Sequence, residues 1–468
     1  MLKIYNTLSQ KIEILKPRAG KKINFFVCGP TVYDFSHLGH ARTYLAFDMF
    51  VNYLKHCGFE VFYLQNITDI DDKIIQRSQE KNISWRELSR KFEKEYFDDI
   101  KSLKIKSVNK YARATAHIKE IISQVECLLQ KGFAYKTDDG IYYNTAKFKN
   151  YGKLSKRATQ SAEDGVSRID DGIAKKNKAD FCLWKFAPPA PNACGEPKWQ
   201  SPWGLGRPGW HIEDTAITEK FFGTQYDIHG GARDLIFPHH EAEICQMEAV
   251  SGKAPLVKYW MHTGFLTING QKMSKSLGNF TTIRDFLKQN SPEDLRFIIF
   301  SSHYRSPIDF KDSAVQEAKA NIEKLQALIS NLQGAECLSS GKALGALPSL
   351  IIKFWEALND DFNTPKAKAI LFELVNWANE RISKNQMSKK QANEILKFFQ
   401  QVNKIFLFLD TKKQTEKLAI PAEITKLVQE RETARQQKNW QLSDQLRKQI
   451  EKHGWQIEDT PVGPKLKK

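Results

Sequence analysis

The sequence predicts an α/β fold that is cut in two by an insertion and continued by a helical region and a small basic module. Three observations carry this expectation. Short apolar runs of strand character at Phe25 to Cys28, Val61 to Gln65 and Tyr226 to His229 are followed by residues with helical periodicity. That alternation stops between 119 and 205, where a charged, glycine-marked stretch (Gly152 to Ile173) and the run Pro188-Pro189-Ala190-Pro191 suit neither a helix nor a central strand. Beyond 312 the periodicity is helical, at Ala314 to Leu332, Leu350 to Leu358, Pro365 to Lys384 and Lys389 to Leu409. A Rossmann-like sheet split by an insertion and followed by an α-helical bundle is the economical architecture.

Taken in order, residues 1–118 are the first half of that α/β domain, 119–205 the insertion and 206–270 the second half, with a helix from Glu241 onward. Residues 271–311 form a loop and connecting region, and 312–410 the helical bundle, broken by a Gly/Ser-containing loop from Gly334 to Pro348. Thr411 to Ala419 reads as a polar linker. The last module, 420–468, is basic through Arg431, Arg435, Lys438, Arg447 and Lys448 and ends in Lys465, Lys467 and Lys468.

Composition narrows the function. At 468 residues the chain exceeds one core, and about three domains is a fair expectation. Its 71 Lys and Arg against 54 Asp and Glu leave a net charge of +17, which suits a polyanionic partner. The seven cysteines are odd in number and follow no disulfide framework, which argues for a reducing compartment. The N-terminus lacks a signal-like apolar stretch, and no apolar run approaches the roughly 18 residues of a membrane span. A soluble, cytoplasmic protein is expected.

Two motifs carry the chemistry. His37-Leu38-Gly39-His40 follows the first strand and a turn, where a helix begins. A helix N-terminus offers unpaired N–H groups and a positive dipole end to phosphate, and two imidazoles three residues apart share its first turn. Gly39 leaves room for a base or ribose. Lys272-Met273-Ser274-Lys275-Ser276, bounded by Gly270 and Gly278, is a loop that can set two ammonium groups on a triphosphate. Two surface histidines and a solvated lysine loop are the bland readings. The pair together points to nucleotide-dependent activation of a substrate.

These motifs, with Cys28-Gly29-Pro30-Thr31-Val32-Tyr33-Asp34, Asn66 to Lys73, Pro208 to Glu213, Asp227 to Gly231, Phe237 to Glu243, Asp360 to Pro365 and Ile457 to Pro461, run in order along the chain. In this the sequence resembles the cysteinyl-tRNA synthetases, a family of class I aminoacyl-tRNA synthetases. The resemblance implies activation of L-cysteine by ATP with Mg²⁺, transfer to tRNA(Cys), and a monomer. It implies catalytic roles for His37, His40, Lys272 and Lys275, and ATP contacts from Gly39, Gly230, Gly231 and Asp234 as well. It implies cysteine contacts from Thr68, Trp210 and His229. The C-terminal module would read the anticodon side, with Trp440 and Trp455 either stacking on bases or filling a small core. A fragment ending near residue 311 is expected to retain adenylate formation.

Cysteine and serine differ by one atom, so packing alone discriminates poorly. The resemblance implies a Zn²⁺ that takes the substrate thiolate, with ligands at Cys28, position 214, His239 and Glu243. Position 214, usually cysteine in the family, is Asp214 here. Three readings stay open: Asp214 is a ligand, the site keeps three firm ligands and binds zinc weakly, or the metal is absent and Thr68, Trp210 and His229 discriminate. Cys182, Cys194 and Cys245 read as structural. Two rival functions are a cysteine-activating ligase with a small-molecule amine acceptor, expected to lack the modules after 312, and a non-catalytic RNA-binding paralogue, expected to lose His37, His40 or Lys275.

Overall fold

The computed structural model describes residues 1–156, 175–188, 197–272, 280–334, 345–409, 421–460 and 463–467. Met1–Leu409 form one compact unit and Asp410–Lys468 a second. Pro189 to Pro191, Cys194, Cys337, most of the 152–173 stretch and Met273 to Lys275 lie outside the described residues.

The first unit is built on five parallel strands ordered Val257–Thr263, Tyr226–Ala232, Lys22–Val27, Glu60–Ile67 and Lys110–Arg113. The chain therefore starts in the middle, moves to one edge, leaves for the insertion and returns on the other side. The order reverses between Lys22–Val27 and Tyr226–Ala232, and their carboxyl ends open the crevice where such sheets take ligands. Strand alternation puts Phe25 and Val27 in the core beneath the first helix, Leu38–His56, and Phe26 with Cys28 in the core on the opposite face. Cys28 thus leaves the strand end pointing away from the histidine-bearing helix.

The insertion forms its own antiparallel sheet, ordered Ala134–Lys136, Gly140–Tyr143, Phe181–Phe186, Gly204–Pro208 and Trp199–Ser201, over a separate core that includes Val125, Leu128, Trp184 and Ile212. The four expected helices after 312 are observed at Asp312–Gly334, Leu347–Asn359, Thr364–Ser383 and Lys389–Phe406. Their apolar faces join the core of the first α/β half: one cluster runs from Leu2 through Phe47 and Phe297 to Phe399 and Leu409.

Polar ties fix the same junction. Asp48, in the middle of the first helix, and Arg296 form a fully buried ion pair at 2.7 Å. Arg296 also donates to the carbonyls of Leu103, Lys104 and Phe406, so its charge is well satisfied. Asp361 accepts from the Tyr5 amide and the Tyr304 hydroxyl, each at 2.7 Å, and from Arg305 Nε at 2.8 Å.

Within the second unit, helices Ala422–Gln436 and Trp440–Lys452 and the hairpin Gln456–Thr460 with Gly463–Lys467 enclose Ile424, Ile450, Trp455 and Ile457. Arg431 grips Asp459 with two parallel bonds of 2.9 Å. Trp455 is core, whereas Trp440 is 59% exposed and supports no core.

Candidate active site

The first motif stands where the sequence placed it. His37 is the N-cap of Leu38–His56, and the His37 and His40 rings stack at 3.9 Å. His37 Nδ1 accepts from the Gly39 amide at 3.0 Å, and His40 Nδ1 accepts from the His37 amide at 3.3 Å. The two imidazoles therefore cap N–H groups that the sequence reading offered to phosphate. Burial, then His37 and Lys73, hold the His40 pKa well below the ordinary histidine range. In the neutral tautomer whose Nδ1 accepts, Nε2 carries the proton, so His40 serves as a hydrogen-bond donor without a full charge. The segment after the lysine loop docks on this corner: Leu38 N donates to Thr281 O at 3.1 Å, and the Phe280 ring lies 5.2 Å from His37. Lys272 ends a two-residue strand, Gln271–Lys272.

On the opposite side of the crevice, Cys28, Asp214, His239 and Glu243 each bring one donor atom within 4.8 Å of the others, and all four are buried. His239 Nε2 is 3.0 Å from Asp214 Oδ2 and 3.1 Å from Glu243 Oε1. The helix expected from Glu241 onward is present, and the residues before it take a separate turn. A π-type turn, Ile236–His240, with extended Phe237 inside it precedes the α-helix Glu241–Ser251, and His239 and Glu243 still meet. Asp214 comes from the first turn of Ile212–Phe222, and its Oδ1 is buried without a hydrogen-bond partner among the described residues.

Burial and then Glu243 push the Cys28 thiol up; burial and then Asp214 do the same to Glu243 and Glu213. Burial thus disfavours the anionic forms of Cys28 and Glu243, a cation among them would favour those forms and satisfy the orphaned oxygen, and the S, N and O donors fit Zn²⁺. His211 Nδ1 lies 2.8 Å from His239 Nδ1, an outer contact of the kind that orients a ligating imidazole. A second set, Cys28, His229, His240 and Glu243, overlaps the first. Cys28 Sγ is 3.3 Å from His229 Nε2 and 3.2 Å from His240 Nε2.

A cavity of about 330 Å³ joins the two corners. Cys28, Asp214, His239, Thr68 and Trp210 line it at one end, and His37, Gly39, His40 and Asp234 at the other. Three expected contacts are absent from its lining among the described residues: His229, which packs behind Cys28, and Gly230 and Gly231. The two glycines stand close against neighbouring rings. A Cβ on Gly230 would lie 2.6 Å from the Phe47 ring, and one on Gly231 2.6 Å from His240. Gly29 is required for the same reason, since its Cβ would fall 1.7 Å from Asn66 O.

Sequence reasoning missed Asn66, Lys73 and Tyr44 in the lining, Glu213 behind it, which accepts from the Thr68 hydroxyl, and the His240–His262 pair at 2.9 Å. Asn66 and Lys73 lie in a stretch the sequence reading had marked, which was the available signal. Cys182 borders an adjoining cavity, and Cys245 is buried, its thiol donating to Ala242 O.

Residues 14–320 match the family described as tRNA synthetases class I (C) catalytic domain, and residues 353–410 match the DALR domain. A cysteine–tRNA ligase of Thermococcus gammatolerans is 44% identical over 99% of this chain and 98% of its own. One from Methanococcus maripaludis is 46% identical over 98% of each. The chain belongs to the cysteine–tRNA ligase family. It is thus a class I aminoacyl-tRNA synthetase. In fold it is also similar to Mycobacterium tuberculosis methionyl-tRNA synthetase bound by methionyl-adenylate, with a TM-score of 0.63 at 14% identity over 83% of this chain and 92% of that one. Family membership across the full length leaves no support for the small-amine ligase. Among the described residues, no helix is long and apolar enough to cross a membrane.

Proposed function

We propose that this cysteine–tRNA ligase activates L-cysteine in the cavity between the two corners and then passes the cysteinyl group to tRNA(Cys). The observation that carries the reading is the continuity of that cavity, from Cys28, Asp214 and His239 to His37, Gly39 and His40. The amino acid occupies the first end, beside Thr68 and Trp210, with His229 supporting Cys28 from behind. ATP occupies the second, beside Asp234, with Gly230 and Gly231 holding the wall close. The cysteine carboxylate attacks the α-phosphorus in line, and pyrophosphate leaves. His37 and His40 donate to phosphate oxygens, and Lys272 and Lys275 stabilise the charge that gathers on pyrophosphate. The tRNA 3′-terminal hydroxyl then attacks the adenylate carbonyl, and AMP departs.

Cys28, Asp214, His239 and Glu243 would hold a zinc ion, a soft centre that takes a thiolate in preference to a hydroxyl. Mg²⁺ would accompany ATP. Residues 1–118 and 206–270 are the catalytic halves, 119–205 the insertion, 271–311 the stem-contact region, 312–410 the bundle and 420–468 the anticodon-side module of a cytoplasmic monomer. The test is amino-acid-dependent ATP–pyrophosphate exchange followed by tRNA charging. Exchange with cysteine, little with serine, and charging of tRNA(Cys) are expected; exchange independent of cysteine would overturn the reading.

A further inference from the structure

Phe35, two residues before His37, is held between two elements. The Arg284 guanidinium lies 4.1 Å from the centre of its ring, and the Phe92 ring meets it edge-on at 5.2 Å. Arg284 belongs to the short helix Ile283–Leu287, and its Nη2 is 2.8 Å from Glu95 Oε2 and 3.2 Å from Asp99 Oδ1. Phe92, Glu95 and Asp99 recur at helical spacing along one face of Trp85–Ser102. Ring, cation and helix therefore form a single stack. The segment that carries Arg284 is also joined to the backbone on either side of His37: Ile283 N donates to Ser36 O at 3.0 Å, and Leu38 N to Thr281 O at 3.1 Å.

Between the turn before His37 and the helix Trp85–Ser102 lies a cavity of about 250 Å³, with Phe35, His37 and His40 on one side and Phe92 and Tyr96 on the other. A turn beside open space is not fixed by close packing, so its place depends on the ties that cross to it. Arg77, 3.7 Å from Asp34, supplies a longer ion pair to the same turn.

We infer that Arg284 is a positioning residue for the phosphate-facing corner: by pinning Phe35 to the helix Trp85–Ser102 it sets where His37 stands, and with it the stacked His40. A guanidinium suits the place because its flat face covers the ring while its edge donates to carboxylates. Arg284 stands back from the lining of both cavities, so its effect passes through His37. The inference rests on the proposed role of His37 and His40 at the phosphates of ATP.

The test is a double-mutant cycle on the full chain, read in cysteine-dependent ATP–pyrophosphate exchange. Arg284→Ala should lower kcat at least about tenfold, as expected for a catalytic group displaced by a fraction of an ångström. The KM for cysteine and the zinc content should stay within about twofold, since uniform binding at the other end of the cavity is untouched. In a His37→Ala background the same substitution should cost less than about threefold, because residues that act as a unit are not additive. Arg284→Lys, which keeps the charge and loses the flat face, should fall between wild type and Arg284→Ala. Should Arg284→Ala not fold, Phe35→Leu carries the same cycle, with the same pattern in smaller measure. An equal fall in both backgrounds, a loss carried by the KM for cysteine or by zinc, or an unchanged kcat would overturn the inference. Exchange at the wild-type rate in His37→Ala itself would instead overturn the phosphate role on which it rests.

Discussion

His239 Nε2 stands 3.0 Å from Asp214 Oδ2, both side chains are buried, and the other oxygen of that carboxylate has no hydrogen-bond partner among the described residues. An unsatisfied buried carboxylate oxygen costs on the order of 1–3 kcal/mol, more for a charged group, and a bound cation removes that cost. Asp214→Ala should therefore lower zinc content and raise the KM for cysteine together. Asp214→Cys should keep or tighten zinc, since a thiolate is the softer ligand. Metal analysis beside exchange kinetics decides; unchanged zinc and unchanged KM in Asp214→Ala would remove Asp214 from the site.

Lys275→Ala should lower cysteine-dependent exchange by about two orders of magnitude or more, because one lost charge-stabilising donor in an ordered site costs about 3 kcal/mol. Zinc content should not change. A rate near that of wild type would deny the loop its role.

His262 is buried between Thr7, whose hydroxyl lies 2.8 Å from its Nδ1, and His240. Burial, with a smaller contribution from Arg233, lowers its pKa to about 3. The unfolded chain binds this proton near the ordinary value of about 6.5, so the folded state loses stability as pH falls below that point and continues to lose it towards the folded value. One proton corresponds to about 1.4 kcal/mol per pH unit. Denaturant titrations between pH 7 and 5 should show His262→Gln with a correspondingly shallower decline than wild type. Parallel curves would mean that His262 binds its proton equally in both states.

The fragment expected to survive truncation near residue 311 should not do so. Phe297 and Phe300 pack on Phe406 and Phe408, and Arg296 reaches the Phe406 carbonyl. Removing the bundle would bare that face and leave the Asp48–Arg296 pair partly unsatisfied. A cut after Leu409, between the two compact units, should give a folded protein with full exchange and impaired charging. A soluble, active 1–311 fragment would contradict this.

Breaking the Asp48–Arg296 pair itself should be costly. Asp48→Asn leaves a buried guanidinium without its counter-charge, a loss of about 3–5 kcal/mol. A thermal midpoint within a few degrees of wild type would show that the pair carries little.

Much of this was legible in the residues. The strands around Phe25, Val61 and Tyr226 and the helix start at His37 are local patterns, readable from spacing, whereas the departure at Asp214 was legible only through the family resemblance. What was not legible depends on residues far apart in the chain that the fold brings together. His240 and His262 meet across neighbouring elements, Lys185 and Arg207 reach Asp72 from the insertion, and Glu213, on the helix Ile212–Phe222, accepts from Thr68 just past the strand Glu60–Ile67. The close approach of Phe47 to Gly230 and of His240 to Gly231 is likewise revealed only by packing.

The most direct test of the account is zinc stoichiometry measured with amino-acid selectivity on the same wild-type preparation. About one zinc per chain is predicted, together with ATP–pyrophosphate exchange driven by cysteine and scarcely by serine, and with selectivity falling as the metal is chelated. A metal-free protein that still prefers cysteine to the same degree would contradict it.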